Sequence, residues 1–496
     1  MGARELAKAI RARDLSAGDV MSAFLRQIEQ VNPSINAIVA KLDDEKCLAL
    51  ADEADRRLAD GAETGRLHGL PFAFKDLDAV VGFPLTRGSR IFKDFMPAED
   101  SVLAERLKRA GVIPIGKTNV SEFGMGSHTY NDVYGATLNP YDLTKSAGGS
   151  SGGAGAALAA GLLPLASGSD LGGSLRNPAN FNNIVALRPT VGLVPSAPVA
   201  LPFLGFGVKG PMARSVADAA FLLTAMAGAH PRDPACYPFD PSVFAKPLER
   251  DFKNARVAWC LDLGGLPLDG RVRAVLEAQR KTFSDLGCIV EDACPDLAGA
   301  DEIFLTIRSW YYWYTLGPLL QKHRALMKPE AVWQIEVGGR LSAGDIANAM
   351  ARQGELLERM RRFHEKYEFF LCAVNQVPPF DATISWPPEI EGVKMETYID
   401  WMKSAYRITP TFCPSISVPA GFTEEGLPVG IQIVGRYRDD LGVLQIAQAF
   451  EQATRFGLKY PKIASAVTIK GAIATTFRTV LVERTQVSVP PERGSL

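Results

Sequence analysis

The stretch from Ser146 to Arg176, SAGGSSGGAGAALAAGLLPLASGSDLGGSLR, constrains this chain more than any other. It holds no Lys, Arg, His or Glu before its last residue and a single acid, Asp170, yet it is dense in glycine and serine. A surface loop or linker would need more solvating charge. Glycine is useful where the backbone takes positive φ or approaches a ligand closely, and buried serines must find hydrogen-bond partners. The stretch therefore reads as the floor of a site. Two clusters bracket it, Gly148 to Gly153 and Gly168 to Arg176, with a small-residue helix expected over Ala154 to Ala160.

The rest of the chain is expected to alternate. Ser16-Ala17-Gly18-Asp19 is a capping box before Val20, Phe24, Ile28 and Val31 at helical spacing. A helix over Asp43 to Leu58 precedes the apolar run Gly69 to Asp76, which has strand length and ends in Lys75, at the edge where ligands gather in open α/β sheets. A helix over Ser101 to Ala110 and a strand over Val112 to Ile115 follow. Gly111 to Thr118 matches G-x-x-x-x-G-K-[ST], but its four intervening residues are themselves an apolar strand, so a phosphate cradle is rejected.

Further on, the expected order is a strand at Ile184 to Leu187, an aperiodic covering loop at Val191 to Val208 and a helix from Ala213 to Ala227. After them come a strand at Arg256 to Leu261, one helix at Arg271 to Leu286 and a strand at Cys288 to Val290. Helical segments then run from Ile303 to Lys366, followed by a strand at Phe369 to Val374, a last strand at Val429 to Val434 and a helix at Leu441 to Thr454. This alternation predicts an α/β fold with a large mixed, mostly parallel, twisted sheet covered by helices on both faces. The expected organisation is one domain over residues 1–462, with a variable helical and aromatic covering region at about 300–400 and a tail over 463–496 that is frayed beyond Pro490.

Composition excludes several functions. Net charge is -1 with both signs interspersed, so no footprint for nucleic acid is present. Seven scattered cysteines without a C-x-x-C pair fit a reduced compartment. With no secretion signal and no uninterrupted membrane-grade run, a cytoplasmic location away from membranes is expected. The five histidines lie in unrelated contexts and no H-E-x-x-H occurs, which leaves a metal site or a Ser-His triad unsupported. Gly149 to Gly153 also satisfies G-x-S-x-G, but that elbow wants a strand directly before its serine and Asp142 to Gly149 is a poor one.

The segment Gly148 to Gly192, GGSSGGAGAALAAGLLPLASGSDLGGSLRNPANFNNIVALRPTVG, resembles the signature of the amidase signature family of hydrolases. Its companions are Phe74-Lys75-Asp76, Gly116-Lys117-Thr118-Asn119 with Glu122-Phe123, Gly210 to Ser215 and Gly426 to Gly435. The likeness spans roughly Ser16 to Gly457. It implies the family's large mixed sheet and a Ser-Ser-Lys triad, with Ser174 as nucleophile, Ser150 as bridging serine after a cis Gly149–Ser150 peptide, and Lys75 as base. It also matches Ser151 and Asp170 to loop-orienting positions, Arg176 to an anchor of the nucleophile turn, and Gly124-Met125-Gly126 to the acyl pocket.

The chemistry is coherent on its own terms. A serine hydroxyl needs a base to become a nucleophile, and a lysine is a base only when burial keeps it uncharged. Backbone N–H groups from Leu171, Gly172, Gly173 and Ser174 would form an oxyanion hole. Phe203, Leu204, Trp310, Tyr311 and Trp313 are expected to line a pocket for hydrophobic or aryl substrates. The expected partner is a small-molecule amide, carbamate or ester, with no cofactor, and a homodimer is a possible assembly. An amidotransferase subunit supplying ammonia and a non-catalytic scaffold are the alternatives.

Overall fold

The computed structural model describes residues 1–466, so the expected tail lies almost wholly outside the described residues. Local signals translate directly at the start of the chain. Ser16 caps the helix Ala17–Ile35 by accepting from Asp19 N, and Val20, Phe24, Ile28 and Val31 are buried on its inner face. The helix Asp44–Ala59 follows. Pro71–Lys75 is a fully buried strand.

Lys75 does not sit on the large sheet. Its strand pairs in parallel with Ile113–Thr118, which pairs on its other side with Ile38–Val39, making a separate three-stranded sheet. That small sheet packs against the edge strand Ala166–Asp170 of the large one. Gly116, Lys117 and Thr118 lie inside a strand, in keeping with the rejected phosphate cradle.

Eight strands form the large sheet. Their spatial order is Ile289–Asp292, Arg256–Trp259, Phe369–Ala373, Pro428–Gly435, Ser415–Phe422, Val185–Arg188, Val208–Ala213 and Ala166–Asp170. The sheet is mixed, as expected, but parallel pairing does not dominate. Only the first three strands run parallel, and the remaining ladders are antiparallel. The reason is local: Ser415–Phe422 and Pro428–Gly435 are joined by a turn closed by Thr423 and Leu427, too short for the crossover that parallel strands need.

Other elements depart from the sequence expectation. Arg271 to Leu286 is two helices, Gly270–Glu277 and Arg280–Asp285. Asp142–Ser146 is a strand after all, pairing with Leu138–Asn139 in a small hairpin in which Asn139 and Ser146 are buried while Leu143 and Thr144 are exposed. Cys260 and Cys294, just past the ends of neighbouring parallel strands, are joined by a disulfide with a Cα separation of 5.1 Å. That pairing corrects the reading of the cysteines as a reduced set. The five other cysteines are free.

The helix Gly152–Ala159 runs through the interior with every residue buried, and its lack of side-chain bulk lets it approach the small sheet. A Cβ on Gly153 would collide with Asn119 N and stand 2.6 Å from Ala37 O. Both obstacles are backbone and cannot swing away. Gly153→Ala is therefore expected to lower stability by about 1–3 kcal/mol, read as a lower urea midpoint. An unchanged midpoint would show that the helix is not clamped there.

Candidate active site

Three segments converge on one amine. The strand Pro71–Lys75 delivers Lys75, the turn before Gly152–Ala159 delivers Ser150 and Ser151, and the edge strand Ala166–Asp170 delivers Ser169. Lys75 is fully buried. Its Nζ lies 2.9 Å from Ser150 Oγ, 2.7 Å from Ser151 Oγ and 2.9 Å from Ser169 Oγ. As an ammonium it donates to all three. As a free amine it keeps two donors and gains a lone pair, which can accept from one of them.

The electrostatics favour the free amine. Burial pulls the Lys75 pKa from 10.5 to about 7, helped by the like charge of Lys209 and opposed by Asp78 and Asp170. The peptide between Gly149 and Ser150 is cis, and Ser150 is buried. Ser174 is slightly exposed, at 7%. Among the described residues, Ser174 Oγ makes no hydrogen bond to Ser150 or to any other group, so the Lys75–Ser150 link is formed and the Ser150–Ser174 link is open.

Asp170 organises the turn that carries Ser174. Burial pushes its carboxyl up, but Arg176 and Arg188 more than offset this and hold it well below the usual carboxylate range. It accepts from Gly173 N at 2.8 Å and Leu175 N at 3.2 Å, and it takes Arg176 in a two-pronged contact with both N···O distances 3.0 Å. Arg176 continues to Ala405 O at 2.7 Å and Gln432 Oε1 at 2.6 Å, tying the turn to the central strand of the large sheet. Gly173 itself has φ +117°, and a Cβ there would fall 2.7 Å from Ala405 Cβ.

The expected oxyanion donors divide. Gly173 N–H is already committed to Asp170, which removes it from the set. Among the described residues, the N–H groups of Leu171, Gly172 and Ser174 have no protein acceptor. Leu171 O accepts from Thr409 Oγ1 at 2.7 Å, and Phe304 lies over Gly172. The loop is thus held from both sides while three donors stay available.

The pocket residues also divide. Gly124 lies beside Ser150, since a Cβ there would be 3.5 Å from Ser150 Oγ. Met125 is buried in an apolar group with Phe123, Tyr312, Leu316 and Ile335, and Gly126 faces the Tyr398 ring. Leu204 and Tyr311 line a cleft partly open to solvent, together with Leu171. Phe203 does not join them: its neighbours in the short 3-10 turn face the cleft while it is 75% exposed. Trp313 also faces away, because its ring packs on Gly339 and its Cβ on Gly338, where the helices Ala300–His323 and Pro329–Gly339 meet closely. Trp310 is half-buried on the same helix.

Sequence reasoning did not single out Ser169, Asp78 or Lys209 as site residues. A strand reading Ala-Ser-Gly-Ser-Asp is too polar to be buried without partners for its side chains, and that was the available signal for Ser169. Asp76 has a structural environment: it accepts from Thr86 N and Oγ1 and faces Lys117 Nζ at 3.9 Å. Burial pushes its carboxyl up against that attraction. Among the described residues no cluster of three or more His, Cys, Asp or Glu could hold a metal ion, and no helix is long and apolar enough to cross a membrane.

Comparison with known proteins places this geometry among relatives. The model of the family described as Amidase matches residues 19–444. The chain is 35% identical to an acylamidase of Rhodococcus erythropolis, over 93% of this chain and 97% of that protein. It is 33% identical to the A-type subunit of the glutamyl-tRNA(Gln) amidotransferase of a Cyanothece species, over 93% and 99% respectively. Among solved structures it resembles a bacterial aryl acylamidase of the amidase signature family with a TM-score of 0.87 and 27% identity, covering 95% of this chain and 99% of the other.

The Lys75 amine is expected to titrate near 7, below Lys117 and Lys328, which burial lowers to about 8. NMR of isotope-labelled lysine amines, assigned through Lys75→Met, would show this. An amine still protonated at about pH 9 would contradict the desolvation argument.

Proposed function

The chain belongs to the amidase signature family of hydrolases, and from that premise we propose that it is a serine hydrolase cleaving amide C–N bonds of hydrophobic acyl or aryl substrates. The observation that carries this reading is the buried Lys75 amine ringed by Ser150, Ser151 and Ser169. In the proposed cycle the free amine takes the Ser150 proton while Ser150 takes that of Ser174, and Ser174 Oγ attacks the substrate carbonyl carbon. The N–H groups of Leu171, Gly172 and Ser174 receive the oxyanion, where a single donor is typically worth about 3–4 kcal/mol. The relay then reverses, the leaving nitrogen is protonated as the C–N bond breaks, and water hydrolyses the acyl-Ser174 ester.

The cleft beside Leu171 supports an apolar substrate group. Val194, Leu201, Leu204, Val208 and Tyr311 line it. The lining contains no Lys, Arg or His to meet a substrate carboxylate, and its one acid, Asp233, is buried and accepts from Ser196 N at 2.7 Å and Ala235 N at 3.1 Å. Carbamates and esters present the same carbonyl to Ser174 and fall within the reach of the mechanism.

The resemblance to amidotransferase subunits of the A type supports a second reading, release of ammonia from glutamine for a partner. Glutamine carries two charges on its backbone end, which fits the apolar cleft poorly. Hydrolysis of neutral anilides by the isolated chain favours the first reading, and glutaminase activity seen only with a partner favours the second.

Two outcomes are expected. Ser174→Ala assayed against an amide, an anilide, a carbamate and an ester should lose every activity by at least about 10³-fold; survival of any one would reject Ser174 as the nucleophile. Leu204→Trp, which fills the cleft, should lower kcat/KM for a bulky anilide about 10-fold more than for a small amide. Equal losses would place the apolar group elsewhere.

A further inference from the structure

The carboxylates around Lys75 are each matched by a cation other than Lys75. Asp170 is held by Arg176 and Arg188. Asp76 faces Lys117 across the small sheet. Asp78, one turn beyond Lys75, pairs with Lys209. The Asp78 carboxylate is nearly fully buried, and among the described residues its second oxygen has no hydrogen-bond partner. Lys117 Nζ meets only the backbone carbonyl of Asp78. Lys209 is therefore the direct ion-pair partner of this carboxylate, with Lys117 contributing from farther off.

The placement is specific. Asp78 N donates to Lys75 O at 2.9 Å, closing the turn at the strand end. Lys209 lies on Val208–Ala213 in register with Ser169, whose hydroxyl and carbonyl both meet Lys75 Nζ, at 2.9 and 3.4 Å. One ion pair thus bridges the turn that ends the lysine strand and the strand pair that supplies a hydroxyl to its amine. We propose that Lys209 and Asp78 form a positioning pair that fixes the Lys75 amine among its serines and cancels the charge that would otherwise hold it as an ammonium.

The inference rests on the proposed role of Lys75 as base, and the groups facing the amine set its sign. Asp78 and Asp170 favour the ammonium, while Lys209 opposes it; Asp76 and Lys117, the other charges nearby, face each other. Replacing Lys209 with Met removes a like charge and leaves Asp78 unmatched, so both effects favour the ammonium. Replacing Asp78 with Asn removes an attraction and leaves Lys209 in place, so it favours the free amine. A pair acting only as a structural brace would instead lower activity in both variants without moving a titration in opposite directions.

The test is kcat/KM against pH on a neutral anilide. Wild type should rise with pH through a limb near 7, because the base must be uncharged. Lys209→Met should move that limb up by about 1 pH unit and Asp78→Asn should move it down by a similar amount. Lys209→Arg should restore the wild-type limb, and the Lys209→Met, Asp78→Asn double variant should return close to it. If Lys209→Met does not fold, the downward movement in Asp78→Asn and the unmoved limb in Lys209→Arg carry the decision. Limbs that stay put in every folded variant, or single variants that move the same way, overturn the proposal. Loss of hydrolysis in Ser174→Ala and Lys75→Met alongside such unmoved limbs would leave the serine-hydrolase reading standing. Retained hydrolysis in those two would sink that reading first.

Discussion

Keeping one lysine dry is the constraint to which the rest of this structure answers. Lowering the Lys75 amine from 10.5 to about 7 disfavours its ammonium by about 5 kcal/mol relative to the free amine. That is a large share of the roughly 5–15 kcal/mol by which domains are typically stable. It is sustained by a wall with almost no charge: the all-buried helix Gly152–Ala159 on one side and the apolar strand Pro71–Lys75 itself on the other. The three serine hydroxyls supply the polarity the amine needs without supplying a counter-ion. A carboxylate in the place of Ser151 or Ser169 would satisfy the lysine better and fix it in the protonated form.

Asp170 solves the opposite problem. Here a buried carboxylate must stay charged, because its two oxygens shape the turn over Leu171 to Leu175. Two buried guanidinium groups, Arg176 and Arg188, keep it ionised. Such pairs add little net stability against an apolar replacement, while loss of one partner typically costs about 3–5 kcal/mol. What they give is direction. Arg176 reaches through Gln432 and Ala405 to strand Pro428–Gly435 and the short helix Lys403–Tyr406, so the geometry of the Ser174 turn is referenced to the middle of the large sheet rather than to a loop.

Much of this was legible in the sequence wherever the signal was local. Ser16 with Asp19 announces the helix Ala17–Ile35, and the charge-poor stretch from Ser146 to Arg176 announces a buried polar floor. Signals that depend on a partner were not legible. Ser415–Phe422 is absent from the expected strands, yet it lies inside the large sheet with a bulge between Pro419 and Gly421. The helix Arg176–Phe181 is also absent from the expected elements, and it holds Pro178 because proline is tolerated in the first turn of a helix. Trp313 shares a helical stretch with residues that face the site. Only the small surface offered by Gly338 and Gly339 turns its ring outward, and nothing near Trp313 in sequence records that. Lys209 likewise falls between an expected loop ending at Val208 and an expected helix opening at Ala213, and only the observed strand Val208–Ala213 sets it beside Ser169 and Asp78.

The division of labour between core and cover explains how one scaffold can serve different substrates. Under the proposed mechanism, the relay from Ser174 through Ser150 to Lys75 meets only the carbonyl and the leaving atom, so it treats amide, carbamate and ester alike. Discrimination must come from surfaces that meet the remainder of the substrate: the loop from Val191 to Val208 and the helix Ala300–His323, which supply Leu204 and Tyr311 to the cleft. Their side chains meet the central chemistry where Phe304 covers Gly172 and where Leu171 enters the cleft, and their backbone meets it where Val208 pairs with Asp170 and Phe206 O accepts from Arg188 at 3.0 Å. A side chain can therefore change in the cover without disturbing the desolvation of Lys75 or the charge on Asp170.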